Sequence, residues 1–184
     1  MKVLVVVDMQ KDFIDGSLGS PEAQAIVPNV KKKVEKAVKN GDMIVYTRDT
    51  HFSDYLDTKE GKKLPVEHCI YKTEGWRILD EVLPPFTYDN AHIFDKYTFG
   101  YSKLPAKIRS MLLNDGTWTD CTGIEVVGLC TDICVVSNVL LLKSEFYKDF
   151  DISVDAACCA GVTPDTHEAA LKTMEMCQIN VKRG

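Results

Sequence analysis

The sequence lacks a long hydrophobic segment, an excess of basic residues and a paired-cysteine motif. Its first apolar run is interrupted at Asp8, too early for a signal peptide or a membrane span. The net charge of −5 argues against a broad surface for nucleic acid or anionic membranes. We therefore expect a cytoplasmic protein that binds neither nucleic acid nor membrane.

Cysteine spacing and glycine spacing exclude two further classes of protein. The seven cysteines are an odd number and include no C-x-x-C pair, so in a chain without an export signal they predict reduced thiols. No Gly-x-Gly-x-x-Gly turn follows the first apolar run, which argues against a nucleotide cofactor. At 184 residues and 45% hydrophobic, the chain is long enough for a single domain, residues 1–184, with a substantial core.

Apolar runs typical of buried strands alternate with helical patterns along the chain. The strands are predicted at residues 2–7, 43–47, 91–94, 124–129, 152–154 and 179–181. The helices are predicted at residues 28–40, 76–82, 105–113, 132–147 and 164–177, with loops at 10–27 and 48–72. This order predicts an α/β protein with three layers (α/β/α), a mostly parallel six-stranded sheet and a Rossmann-like arrangement.

Reactive side chains follow the carboxyl ends of four predicted strands. Asp8 follows the first strand, and Asp49 and His51 follow the second. Lys96 follows the third strand and Cys134 the fourth. Ligands of parallel sheets bind beyond these strand ends, so an acid, an amine and a thiol gathered there predict a catalytic site.

Cys134 is the candidate nucleophile. Gly128 allows close backbone approach in the preceding strand, Thr131 and Asp132 are suitable N-cap residues, and Cys134 falls in the first helical turn. The positive end of a helix favours a thiolate at that position. A buried packing role is the alternative for any cysteine, and Cys130 is compatible with it; a redox pair of Cys130 and Cys134 is a further option.

Four motifs together resemble the cysteine hydrolase superfamily of nicotinamidases and isochorismatase-like hydrolases, over nearly the whole chain. They are Val-Val-Asp8-Met-Gln-x-Asp-Phe13, Thr-Arg-Asp49-x-His51, Lys96 before Tyr101-Ser102, and Gly128-Leu-x-Thr-Asp-x-Cys134-Val. The resemblance implies the isochorismatase-type hydrolase fold. It also implies a small-molecule amide substrate and a homo-oligomer.

The resemblance assigns a role to each member of a catalytic triad. Asp8 acts as general base and then general acid, Lys96 holds the carboxylate and favours the thiolate, and Cys134 attacks an amide carbonyl to form a thioester. The backbone N–H groups of Cys130 and Cys134 meet the oxyanion. A cis peptide before Cys130 is also implied.

A second group of residues has the composition of a metal site. Asp49, His51 and His68 supply one carboxylate and two imidazoles, a set suited to Zn²⁺, Fe²⁺ or Mn²⁺. The stretch from Pro65 to Cys69 resembles the nicotinamidase metal motif. This resemblance implies zinc as the first choice among the three metals. Where that motif has another histidine, this chain offers three carboxylates, Asp54, Asp57 and Glu60. We assign Glu60 as the fourth ligand.

The resemblance implies that Phe13, Leu64 and Tyr101 contact the substrate, with Leu64 replacing a tryptophan common in the family. His92 and His167 match no motif and are expected to have structural roles. The first functional hypothesis is hydrolysis of nicotinamide to nicotinate and ammonia. The alternatives are a metal-free amidase or isochorismatase-like hydrolase of another small substrate, and a binding module that has lost catalysis.

Overall fold

A parallel β-sheet forms the centre of the protein, whose computed structural model describes residues 1–114, 117–118 and 120–183. The strands are β1 (Val3–Val7), β2 (Met43–Asp49), β3 (Ala91–Lys96), β4 (Leu113–Asn114), β5 (Thr117–Trp118), β6 (Ile124–Leu129), β7 (Ile152–Ala160) and β8 (Asn180–Lys182). Six of them pair in parallel in the order β3-β2-β1-β6-β7-β8, which confirms the predicted sheet. β4 and β5 form a separate antiparallel pair.

Helices cover both faces of the sheet. They are α1 (Lys11–Ile14), α2 (Pro21–Asn40), α3 (Leu104–Leu112), α4 (Val136–Phe146) and α5 (Pro164–Met176). Alternate residues of β1 point to opposite faces: Val5 packs with the cluster that includes α3, α4 and α5, whereas Val6 packs with α2. This is the predicted three-layer arrangement. Among the described residues, no helix is long and apolar enough to cross a membrane.

Gly128 brings β6 unusually close to β1. Its φ is +121°, and a Cβ atom there would lie 2.1 Å from the carbonyl oxygen of Val7. Only glycine combines this backbone conformation with such an approach. The central strand pair, which ends at Asp8 on one side and Cys130 on the other, therefore depends on that glycine.

Several predicted boundaries are wrong. The helix predicted from Pro28 begins at Pro21, because Ser20 caps it by accepting from the Ala23 N–H and because Pro28 is accommodated inside it. β7 extends to Ala160, because β6 continues to pair with it after a register shift. The predicted helix at 76–82 is only a 3₁₀ turn (Asp80–Val82), and α1 lies in the predicted loop.

The segment after β6 also differs from a regular helix start. It opens with a π-helical turn, Thr131–Val135, before α4 continues from Val136. The N-cap position is Cys130, and neither Thr131 nor Asp132 caps the turn with its side chain. π-Helical turns are often found at functional sites.

Candidate active site

Asp8, Lys96 and Cys134 meet at the carboxyl ends of β1, β3 and β6. The Lys96 ammonium lies 2.7 Å from Asp8 Oδ2 and 3.5 Å from Cys134 Sγ. Asp8 and Lys96 are fully buried, and Cys134 is 4% exposed. Asp8 has a left-handed φ of 47°, a strained conformation of the kind that clusters at functional sites. The amine thus contacts both the acid and the thiol directly.

Burial decides the charge state of this group. Burial disfavours the Lys96 cation, but the adjacent Asp8 carboxylate outweighs it and raises the pKa of Lys96 well above its usual value. Burial raises the pKa of the Cys134 thiol well above normal, and Lys96 offsets this only in part. The expected resting thiolate is therefore wrong: desolvation exceeds the effect of the helix end and the lysine, so a base must remove the thiol proton.

Two buried polar side chains, Thr47 and Gln10, occur in the quoted motifs without an assigned role and hold Asp8 and Asp49 in place. The Thr47 hydroxyl donates to Asp8 Oδ1 at 2.7 Å. Gln10 binds the backbone of Asp49 on both sides, since its Oε1 accepts from the Asp49 N–H at 2.6 Å and its Nε2 donates to the Asp49 carbonyl at 2.8 Å. Gln10 Nε2 also donates to the Trp76 carbonyl. Together these bonds hold the ends of β1 and β2 and the segment around Trp76 in fixed positions relative to the Cys134 thiol.

The π-helical turn carries the Cys134 thiol and N–H group, and Cys130, the other residue assigned to the oxyanion site, is its N-cap. The Leu129–Cys130 peptide is cis, as the resemblance implied. The Cys130 carbonyl accepts from the Val135 N–H at 3.0 Å, and Asn138 Nδ2 donates to the Cys134 carbonyl at 2.8 Å. Burial raises the pKa of the Cys130 thiol to about 12, so it is protonated at neutral pH.

Asp49, His51 and His68 form a compact group suited to a divalent cation. Their potential ligand atoms all lie within 4.8 Å of one another. Asp49 Oδ2 is 3.1 Å from His51 Nε2 and 3.8 Å from His68 Nε2. His68 Nδ1 bonds to the Val66 carbonyl at 2.8 Å and so acts as donor, which leaves Nε2 as the free ligand atom. These residues fit a metal in number, type and orientation.

Glu60 lies at the margin of this group. Its Oε1 is 3.8 Å from His51 Nε2 and 4.0 Å from His68 Nε2. Asp49 also contacts the triad, because its Oδ1 is 3.1 Å from Lys96 Nζ. One carboxylate thus joins the candidate metal group to Lys96.

A cavity of about 500 Å³ opens beside the thiol. Cys134, Cys130, Asp49, Glu60 and His68 contribute to its wall. Its remaining lining is mostly apolar: Phe13, Leu18, Gly19, Ser20, Ala23, Leu64, Phe99, Leu129, Ile133, Gly161 and Val162. Such a shape suits a small molecule with an apolar body and one polar group at the thiol.

Of the three predicted substrate contacts, the structure places two in the cavity wall. Phe13 and Leu64 line it, and the Phe13 ring is 5.5 Å from that of His68. Tyr101 is not among the lining residues: its ring contacts Phe94 and its N–H donates to Asn138, and its contact with the substrate stays a prediction. Phe99 also lines the cavity, although no sequence pattern marked this residue.

His167 was predicted to be structural, and it contacts the π-helical turn directly. Its Nδ1 lies 2.8 Å from the hydroxyl of Thr131, which is fully buried. The Asp132 carboxylate accepts from the Val162 N–H at 3.1 Å. Thr131 and Asp132 thus bond to the region where α5 begins rather than capping their own turn.

Comparisons with known proteins identify the family of this chain. The family model described as the isochorismatase domain matches residues 2–182. A nicotinamidase of Saccharomyces cerevisiae is 29% identical over 123 residues, covering 52% of this chain and 56% of the yeast protein, so the chain matches little more than half of that relative. A protein of Arabidopsis thaliana named a probable inactive nicotinamidase is 25% identical over 186 residues, covering 97% of this chain and 89% of that protein.

A solved structure shows the same architecture. The crystal structure of the pyrazinamidase of Pyrococcus horikoshii in complex with zinc has a TM-score of 0.80 and 26% identity, covering 100% of this chain and 99% of that one. The family match extends over almost the whole sequence and includes every strand of the central sheet. This chain therefore belongs to the isochorismatase family of hydrolases.

Proposed function

We propose that this protein hydrolyses a small carboxamide through a thioester on Cys134, and that its substrate is nicotinamide, which it converts to nicotinate and ammonia. The observation that carries the proposal is the contact of Lys96 Nζ with Asp8 Oδ2 at 2.7 Å and with Cys134 Sγ at 3.5 Å. All three residues are buried beside a cavity of small-molecule size. The yeast relative named a nicotinamidase supports the choice of substrate.

The first half of the reaction forms the thioester. Asp8 accepts the Sγ–H proton of Cys134, and the thiolate attacks the amide carbonyl carbon. The backbone N–H groups of Cys130 and Cys134 stabilise the tetrahedral oxyanion. When the intermediate collapses, the C–N bond breaks and Asp8 returns its proton to the nitrogen, so ammonia leaves. Throughout these steps Lys96 remains cationic, because its raised pKa keeps it protonated.

The second half releases the acid. Asp8, now a carboxylate, accepts a proton from water as that water attacks the thioester carbonyl. The C–S bond breaks, the carboxylic acid leaves and Cys134 recovers its proton from Asp8. The left-handed backbone of Asp8 and the Thr47 hydrogen bond keep the carboxylate aimed at the thiol in both halves.

We propose that Asp49, His51 and His68 hold a divalent metal, with zinc as first choice, iron or manganese as alternatives and Glu60 as a further ligand. The support is the donor set, in which the facing Nε2 and carboxylate atoms lie within 4.8 Å. When bound, such an ion supplies a Lewis-acid contact for a ring nitrogen of the substrate. The chain's own contribution is to orient the ring against Phe13 in the cavity wall.

The test is ammonia release from nicotinamide and a panel of small amides, with and without a chelator, beside metal analysis of the purified protein. We expect nicotinamide to be the best substrate and chelation to lower its turnover. Turnover of another amide without metal would support the metal-free amidase instead. Release from no amide by the metal-loaded protein would contradict the proposal and favour a binding module without catalysis, in line with the name of the Arabidopsis relative.

We further propose that the protein forms a homo-oligomer in the cytoplasm. The support is a cluster of exposed apolar side chains beside the sheet edge formed by β3. Phe52 is 48% and Tyr97 62% exposed, with their rings stacked at 5.9 Å, and Ile93 on β3 is 45% exposed. Exposed apolar groups next to a free strand edge are typical of interfaces. Light scattering after size exclusion gives the mass; a monomer at all concentrations contradicts this proposal.

A further inference from the structure

The contact between α5 and the π-helical turn has no role in the reaction as derived above. His167, in the first turns of α5, places Nδ1 2.8 Å from Thr131 Oγ1. Thr131 is the first residue of the turn, directly after Cys130 and three residues before Cys134. The Thr131 hydroxyl is buried, and a buried hydroxyl without a hydrogen-bond partner would lower the stability of the fold. The bond with His167 supplies that partner.

The packing of α5 places His167 against the π-helical turn. The start of α5 approaches so closely that a Cβ atom on Gly161 would lie 2.9 Å from the Cα and Cβ of His167. Gly161 lines the cavity, so this approach forms part of the substrate wall. The fully buried Leu171 and Met174 fix α5 to the sheet. His167 therefore projects from a rigid element onto the turn that carries the nucleophile.

The bond to Thr131 suits the neutral form of the imidazole. Burial lowers the pKa of His167, while Glu168 and Asp132 oppose this and Arg183 adds to it. A neutral imidazole has one donor and one acceptor nitrogen, so it can pair with a hydroxyl in either direction. The bond is thus available throughout the neutral pH range.

We propose that His167 is a positioning residue, which acts through the Thr131 hydroxyl to hold the turn between Cys130 and Cys134 in its reactive geometry. This inference rests on the proposed amide hydrolysis. A turn that supplies the thiol and, with its N-cap Cys130, the oxyanion-binding N–H groups must be placed accurately, because a displacement of about 1 Å costs on the order of 100-fold in rate. Neither His167 nor Thr131 is among the residues that line the cavity, so the bond acts on the turn and not directly on the substrate.

The proposal is tested with two substitutions of similar size at one position. His167→Leu removes the bond, whereas His167→Asn places an amide where Nδ1 was and retains a partner for Thr131. We expect kcat to fall by about 10- to 100-fold in His167→Leu with KM within about twofold. His167→Asn should recover most of the lost kcat. Glu168→Gln, an exposed neighbour on the same helix, serves as the matched control and should leave kcat unchanged.

A double-mutant cycle separates positioning from general loss of stability. Thr131→Val removes the other partner, and the double variant should be no slower than either single variant, because both remove the same bond. Unchanged kcat in His167→Leu, a change confined to KM, or additive losses in the double variant would overturn the proposal. If His167→Leu does not fold, Thr131→Val and His167→Asn still give the comparison.

A second readout does not depend on the substrate. The rate of Cys134 alkylation by iodoacetamide, assigned by peptide mass spectrometry, should fall at least about threefold in His167→Leu and recover in His167→Asn. If the wild-type protein releases ammonia from no amide, the proposed function fails, and this rate alone tests the positioning role. Equal alkylation rates in His167→Leu and wild type would then contradict it.

Discussion

At the scale of single residues, the site is a balance between burial and opposite charge. Burial raises the pKa of Asp8 and of Cys134, whereas Lys96 opposes both shifts. The result is a pair of groups that compete for one proton beside a fixed cation. A raised pKa makes the Asp8 carboxylate a stronger base, which suits it to accept the proton of the thiol.

Substitution of Asp8 by asparagine tests this balance. The amide cannot accept the thiol proton, although it retains the size of the carboxylate and an oxygen for the Thr47 hydroxyl. We expect ammonia release to fall by about 10³-fold or more, since general acid–base catalysis contributes about 10²- to 10⁴-fold per step and Asp8 serves in both halves. A residual rate within tenfold of wild type would assign the base to another residue.

Cys134, in the π-helical turn, and Cys130, its N-cap, should differ in their contribution to turnover. Cys134→Ala removes the nucleophile and should abolish turnover. Cys130→Ala keeps the backbone N–H group and should reduce turnover only modestly, because its thiol remains protonated. Ammonia release measures both. Equal loss in the two variants, with a Cys130–Cys134 disulfide detected by mass spectrometry in wild type, would instead favour a redox pair.

At the scale of elements, close approach between strands fixes the site. Asp8 and Cys130 are the first residues after β1 and β6, and these strands are neighbours with Val7 opposite Gly128. A side chain at position 128 would push the two strands apart. The spacing of the acid and the nucleophile therefore depends on a residue that has no side chain.

Gly128→Ala should be among the most destabilising substitutions in this sheet. The added Cβ would lie 2.1 Å from the Val7 carbonyl oxygen, and the backbone has a φ of +121°. We expect a loss of about 3 kcal/mol or more in the free energy of unfolding, measured by urea denaturation. Gly41→Ala is the control: Gly41 also has a positive φ, +70°, but no atom lies within 4 Å of its Cβ position, so the loss should be about 1 kcal/mol. Similar losses in both variants would contradict this account.

Sequence patterns predicted the elements whose signal is local. Continuous apolar runs identified the central strands, and the polar residues at their ends identified Asp8, Lys96 and Cys134. The patterns did not predict that α2 begins before Pro28, because proline usually ends or starts a helix and here the chain accommodates it. They also did not predict the end of β7, because residues 155–159 lack strand-forming side chains and pair only through a register shift.

Contacts between residues that are distant along the chain could not be predicted from the sequence. Thr47 and His167 act through single hydrogen bonds to partners 39 and 36 residues away, and Gln10 bonds to residues 39 and 66 positions away; no periodicity marks such residues. The thiol pKa was mispredicted for the same reason. A local pattern places Cys134 near a helix start, whereas its burial is a property of the whole fold.

At the scale of the whole molecule, one long irregular segment contains two of the three candidate metal ligands. Residues 50–72 contain only a 3₁₀ turn, Tyr55–Asp57, and a single bridge between His51 and Ile70 pairs the two ends of the segment. The Asp12 carboxylate adds one bond, accepting from the Cys69 N–H at 2.7 Å. A cation held by Asp49, His51 and His68 would join both ends of the segment to the sheet.

Metal binding should therefore raise the thermal stability of the entire protein. At a free zinc concentration about 100-fold above Kd, the native state gains about 2.7 kcal/mol. For a chain of this size, that corresponds to a rise in Tm of about 5–10 °C relative to protein treated with a chelator, measured by circular dichroism. His68→Gln should lose most of the rise, because it removes a ligand atom that faces Asp49. His92→Gln, which removes a histidine on β3 outside the group, should keep it. An equal rise in the two variants would place the ion elsewhere, and no rise in wild type would mean that the segment is held by the protein's own hydrogen bonds.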